Sequence, residues 1–300
     1  MSPNPNRRRD DLKIEEALDT TLKHGFSLSE DSQNEVADSS ITRTESSDDL
    51  NSSSSLIKQD ISSRRDLPVH LNISKSIRLM QEPRLFSESE LDERKIIYPE
   101  MSDRKIINVF RDIRTKLFQI ARGQNFLSLI MPSCSMGGST LFSLNLAASI
   151  AFDDSKTALL IDCNLRNPSL HKLLDIEPEY GLVDFLENED LDIDEIIYSS
   201  GIPRLRVIPV GCRKESSGES FMSLRMKAFL DVLKARYPDR YIILDGPSIA
   251  DSADARILAE LCDLAVVVVP YGKSTPAEVV SAANAIGKDK LAGVVMSYVS

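Results

Sequence analysis

Between an apolar run that ends at Met131 and a segment of helical pattern, the chain reads Pro132-Ser133-Cys134-Ser135-Met136-Gly137-Gly138-Ser139-Thr140. A strand-to-helix turn with paired glycines and two hydroxyls makes an anion cradle, because successive backbone N–H groups and the helix N-terminus converge on one point. In the full form of such a loop a lysine reaches the β and γ phosphates and the next hydroxyl holds magnesium. Here Gly138 stands at the lysine position, followed by Ser139 and Thr140. Two further apolar runs end in a carboxylate, at Asp162 and Asp245, and carboxylates beside phosphate are the ligands a hard cation takes. The chemistry these residues point to is phosphate binding, with magnesium on Ser139, Asp162 and Asp245, short of one positive charge.

The elements that must position these residues are legible in the pattern. Short apolar, often β-branched runs at 126–131, 157–161, 205–210, 241–244, 264–269 and 291–296 are separated by segments of helical length, as in a buried parallel sheet. Right-handed crossovers then give a doubly wound, mainly parallel α/β fold with helices on both faces, and ligands bind at the carboxyl ends of its strands. Ahead of the first strand, Ile106, Phe110, Ile113 and Leu117 share one helical face, with Arg111 and Arg114 on another. We assign residues 87–300 to this domain. Residues 1–86 read as a tether, Ser-rich from Ser27 to Ser63 and too poor in apolar side chains to fold. A short amphipathic helix near 11–24 is the docking candidate within it.

Composition excludes several classes. A formal charge of -10 provides no global field for nucleic acid or anionic lipid. The four cysteines, 134, 163, 212 and 262, have neither zinc-ligand nor disulfide-framework spacing, which fits a reducing cytoplasm. The longest apolar stretch is far short of the roughly 20 residues a membrane span needs. His171 stands alone in sequence and is expected to make a structural hydrogen bond; Cys134 and Cys163 are expected to be small buried thiols near the crevice. The acidic stretch from Glu187 to Glu195 is expected to cap helices and stay solvated.

Four segments raise a family resemblance: Asn145-Leu146-Ala147 after the glycine turn, Asp162-Cys163-Asn164-Leu165-Arg166-Asn167-Pro168-Ser169-Leu170-His171, Gly181-Leu182-Val183-Asp184-Phe185-Leu186, and Asp245-Gly246-Pro247. From about Ser87 onward the chain resembles the cytoplasmic kinase domain of bacterial tyrosine kinases (BY-kinases) of capsule and exopolysaccharide synthesis, relatives of the ParA and MinD ATPases. The resemblance implies a P-loop site for ATP and magnesium at Gly137, Gly138, Ser139 and Thr140, with Asp162 and Asp245 as its acids and Ser297 where the family has a base-contacting asparagine. It also implies an oligomerisation segment of the form Glu-x-x-Arg-x-x-Arg, here Asn108, Arg111 and Arg114, and a tyrosine-rich tail where this sequence reads Tyr298-Val299-Ser300.

Where the family's loop reads Gly-Glu-Gly-Lys-Ser-Thr, this chain has Ser135, Met136, Gly137, Gly138, Ser139 and Thr140. Losing the charged donor on a transferring phosphate removes roughly 3 kcal/mol of transition-state stabilisation. ATP, ADP and magnesium are therefore expected to bind weakly or not at all, and Gly138→Lys to strengthen binding. The reading that follows is a non-catalytic or weakly active regulatory or assembly subunit of exopolysaccharide biosynthesis and export. Two alternatives are an active tyrosine kinase that recruits Lys156, Lys172 or Lys273, and a ParA/MinD-type positioning ATPase, whose signature lysine is here Ser133. Expected partners are membrane polysaccharide co-polymerase or export proteins, or an intact BY-kinase, met through Arg111 and Arg114, with weak self-association. The chain is expected to be cytoplasmic, peripheral at the inner membrane through a partner.

Overall fold

The computed structural model describes residues 85–135, 138–211, 221, 224–236, 239–250 and 252–298. The expected helix near 11–24, the Ser-rich tether, and Met136 and Gly137 of the glycine turn lie outside the described residues.

The six apolar runs are six parallel strands: β1 (Leu127–Pro132), β2 (Thr157–Asp162), β4 (Leu205–Ile208), β5 (Arg240–Asp245), β6 (Leu264–Pro270) and β7 (Leu291–Ser297). A seventh, β3 (Tyr198–Ser199), pairs antiparallel with β4 at one edge. Its two residues are too few to produce a period in the sequence. The order across the sheet is β3-β4-β2-β5-β1-β6-β7. Every residue of β1, β2, β5 and β6 is buried, the reason these strands read as continuous apolar runs rather than alternating ones.

Helices cover both faces. Ile130, Leu160, Ile243 and Val268 point toward one apolar layer, which contains α2 (Arg104–Ile120) and α3 (Ser139–Ala151). The alternate residues Leu129, Ile161, Leu244 and Val267 point toward the other, with α5 (Leu182–Glu187), α6 (Leu224–Arg236), α7 (Asp254–Leu261) and α8 (Pro276–Ile286). Two short helices, α1 (Glu88–Glu93) and α4 (Leu170–Leu173), complete the described set. In α3 every residue except Leu141 is buried, so it shows no amphipathic stripe.

Helix α2 packs on the expected face at Phe110, Ile113 and Leu117 and departs from it at Ile106. Ile107, Phe110 and Leu117 are buried, while Ile106 is 45% exposed. Two adjacent isoleucines fit the pattern equally well, and packing buries Ile107 with Phe110 and Leu117, leaving Ile113 and Arg114 partly buried beside them.

The glycine of Gly181-Leu182-Val183-Asp184 is explained by a close crossing. A Cβ on Gly181 would stand 2.3 Å from the backbone nitrogen of Gly211, and one on Gly211 would stand 2.1 Å from Asp184 Oδ2. Asp184 accepts the Gly181 N–H at 2.8 Å, and Leu182 and Val183 donate to the carbonyls of Pro209 and Val210. This motif locks α5 to the chain leaving β4.

Candidate functional site

Strands β2 and β5 are neighbours, and their register places Asp162 opposite Asp245. Neither carboxylate is exposed. Asp162 spends both oxygens on the loop that follows it: Oδ1 accepts the Asn164 N–H at 3.1 Å, and Oδ2 accepts those of Ser169 and Leu170 at 3.3 and 3.2 Å. Asp245 lies among the hydroxyls of the first turns of α3; Ser143 Oγ donates to its Oδ1 at 2.9 Å. Its Oδ2 is buried and has no hydrogen-bond partner.

Burial pushes the Asp162 carboxyl up to about 7, helped by the Asp245 charge and opposed by the three N–H donors. Burial also pushes Asp245 up, to about 6, against its hydroxyl neighbours. The two titrate as a pair that retains a proton near neutrality. An orphaned buried oxygen, a second carboxylate in register and the hydroxyl of Ser139 make an all-oxygen donor set, the kind that magnesium takes. The residues fit the ion, with Asp245 supplying the open oxygen and Asp162 already committed to its loop. When bound there, the ion would neutralise charge on phosphate oxygens.

The anion side of the site carries no charge at Gly138. Gly138 is the N-cap of α3, with φ 61° and ψ 28°, the left-handed region that costs an L side chain roughly 1–2 kcal/mol. A lysine introduced there would bear that strain, which corrects the expectation that the backbone is already shaped for Gly138→Lys. Thr140 receives a hydrogen bond from Ser169 Oγ at 3.0 Å, tying α3 to the loop after β2. Ser133 is buried and faces Ser274 Oγ at 2.6 Å and the Val268 carbonyl at 3.4 Å, a strut between β1 and the end of β6.

Ser297, at the end of β7, lines a cavity of about 160 Å³ together with Gly138, Lys95, Phe142, Asn145 and Tyr298. The structure thus gathers Gly138, Ser139, Thr140, Asp162, Asp245 and Ser297 at the carboxyl edge of the sheet. Gly137 lies outside the described residues.

Of the three candidate substitute lysines, Lys156 is misplaced. It precedes β2, a strand length of roughly 17–20 Å from Asp162, and pairs with Asp153 at 2.5 Å. Lys172 and Lys273 are exposed at the carboxyl edge, outside the cavity beside Gly138. Lys95 is a residue that sequence reasoning passes over, although a signal exists. Asn145 is a polar residue in the interior of an apolar helix, and a buried amide needs partners; it takes them from this segment, accepting the Ile97 N–H at 2.9 Å and donating to the Lys95 carbonyl at 3.0 Å.

Arg114 corrects another expectation. It is half-buried and already engaged: Nη1 donates to the Ser149 carbonyl at 2.5 Å, and burial lowers its pKa against the pull of Asp153. Arg111, one turn earlier, is only partly covered. The His171 imidazole makes no hydrogen bond with another described residue, contrary to expectation; burial, with Lys172 nearby, lowers its pKa. Cys134 and Cys163 are buried, and burial holds the Cys163 thiol well above its usual value. In the acidic stretch, Asp192 and Glu195 form a capping box on the turn Ile193–Glu195.

No family model matches the chain. Among relatives, it is 30% identical over 202 residues to the tyrosine-protein kinase YwqD of Bacillus subtilis, covering 66% of this chain and 84% of that protein. It is 30% identical over 149 residues to the succinoglycan biosynthesis transport protein ExoP of Rhizobium meliloti, covering 48% of this chain and 18% of that protein. The chain spans less than a third of the length of the longer relatives it matches. The kinase domain of the Escherichia coli tyrosine kinase ETK superposes with a TM-score of 0.62 at 25% identity, over 72% of this chain and 88% of that one. A parallel sheet with paired strand-end carboxylates, carried by a sequence alignable over most of YwqD, assigns the chain to the bacterial tyrosine-protein kinase family.

Proposed function

We propose that this chain is a weakened member of its family, acting as a regulatory or assembly subunit in exopolysaccharide biosynthesis and export. The observation that carries the reading is Gly138. At the position where the family places its phosphate-binding lysine, the chain has no charge and a left-handed backbone. The likeness to ExoP, by its name a succinoglycan biosynthesis transport protein, supports the polysaccharide setting. Co-polymerase or export proteins, or an intact family kinase, are the partners in this reading, met through Arg111. Among the described residues no helix is long and apolar enough to cross a membrane, so a membrane partner would bring the chain to the bilayer.

Calorimetric titration with ATP, with and without magnesium, tests this reading. Binding should remain unsaturated at millimolar nucleotide; micromolar affinity would overturn it. A second reading, an active tyrosine kinase, draws on the retained Ser139, Asp162 and Asp245. Transfer of labelled phosphate from ATP to tyrosine at a rate within about a hundredfold of an intact family kinase would favour it.

A further inference from the structure

We propose that Lys95, delivered from the segment ahead of α2, supplies the positive charge missing at Gly138 and binds the phosphate end of a nucleotide at the cavity between α3 and β7. The proposal rests on the reading of this site as a weak nucleotide site, and names the residue on which its remaining affinity depends.

Three observations carry it. First, among the described residues lining the cavity that Gly138 and Ser297 share, Lys95 is the one with a charged side chain. Second, its position is fixed by the helix that would cradle the phosphate. Asn145 clamps both sides of the segment, at the Lys95 carbonyl and the Ile97 N–H, and Asn145 follows Ser139 by six residues, about 9 Å of helix. The four-carbon stem of a lysine covers much of that distance. Third, Lys95 holds a left-handed backbone with φ 58°, a conformation retained in a non-glycine residue only where its surroundings enforce it. Apart from this cavity, whose lining does not include it, Asp245 Oδ2, fully buried beside the first turns of α3, has no partner and calls for a ligand independently of the helix end. The remaining walls, Phe110, Leu141, Phe142 and Tyr298, suit the flat apolar part of a nucleotide.

The test is calorimetry of the full chain with magnesium ADP up to several millimolar, on the wild type, Lys95→Gln, Lys95→Arg and Lys172→Gln, with melting temperatures checked for each. Lys95→Gln should weaken binding about tenfold or more, Lys95→Arg should stay within about threefold, and Lys172→Gln should match the wild type. Equal binding by Lys95→Gln and wild type would overturn the role of Lys95, and so would a wild type that binds no ADP, an outcome that leaves the weakened-kinase reading standing. Micromolar wild-type binding lost in Lys95→Gln would do the reverse, supporting Lys95 and overturning the weak site.

Discussion

Asp245 has an open oxygen inside the protein, and this sets a pH dependence. The carboxyls of Asp162 and Asp245 are raised by burial, so the folded state binds protons more tightly than the unfolded one. Their contribution to stability is fully present below the unfolded carboxylate value near about 4 and is lost as pH rises through the folded values. Asp245→Asn removes one of the two charges and leaves Oδ1 for Ser143. It should raise stability at about pH 8 by about 1–3 kcal/mol and flatten the decline between about pH 5 and 8. Melting curves across that range check it, and an unchanged profile would mean the pair is relieved in some other way. The thiol follows the same logic: burial keeps Cys163 protonated, so it is a packing residue.

Among the elements, α2 and α3 depend on one another through Arg114. Its guanidinium caps a carbonyl in the last turn of α3, where helix carbonyls lack intrahelical partners and a cation complements the dipole. Arg114→Ala should cost about 1.5–3 kcal/mol in urea unfolding, the range for a charge-assisted hydrogen bond. Arg111→Ala should change stability by less than about 0.5 kcal/mol. If the two variants unfold alike, Arg114 is a surface residue and α2 does not pack on its Ile107 face. The contrast also bears on assembly: a partner-binding test on Arg111 leaves the fold alone, whereas one on Arg114 confounds binding with stability.

For the whole molecule, the sequence from Ser27 to Ser63 is Ser-rich and too poor in apolar side chains to build a core, and the described apolar layers run from Leu91 through β7. We therefore propose that residues 1–84 are dispensable for folding. A chain truncated before Leu85 should melt in a single transition at the temperature of the full chain and run as a monomer in light scattering across concentration. A lower or broadened transition would place part of the core in the removed segment. A stable oligomer without nucleotide would overturn the weak self-association expected from Asn108 in place of the family's acid.

The sequence by itself determined the parallel sheet, because strands buried on both faces must be continuously apolar, and it placed Gly138, Ser139, Asp162 and Asp245 at strand ends where such a sheet exposes its loops. It also carried the charge deficit, since a missing lysine is visible without coordinates. Only the tertiary structure decided the rest. Adjacent isoleucines left the start of the α2 face ambiguous by one residue, and the bond from Arg114 to the Ser149 carbonyl joins two helices in a way the pattern of one helix cannot show. A run ending in Asp does not reveal its partners, so the division between Asp162, bound to its loop, and Asp245, left open, depended on strand register. Lys95 is 43 residues before Gly138 in the chain and reaches the same cavity only because Asn145 fastens its backbone to α3, a contact of long sequence separation that no local pattern encodes.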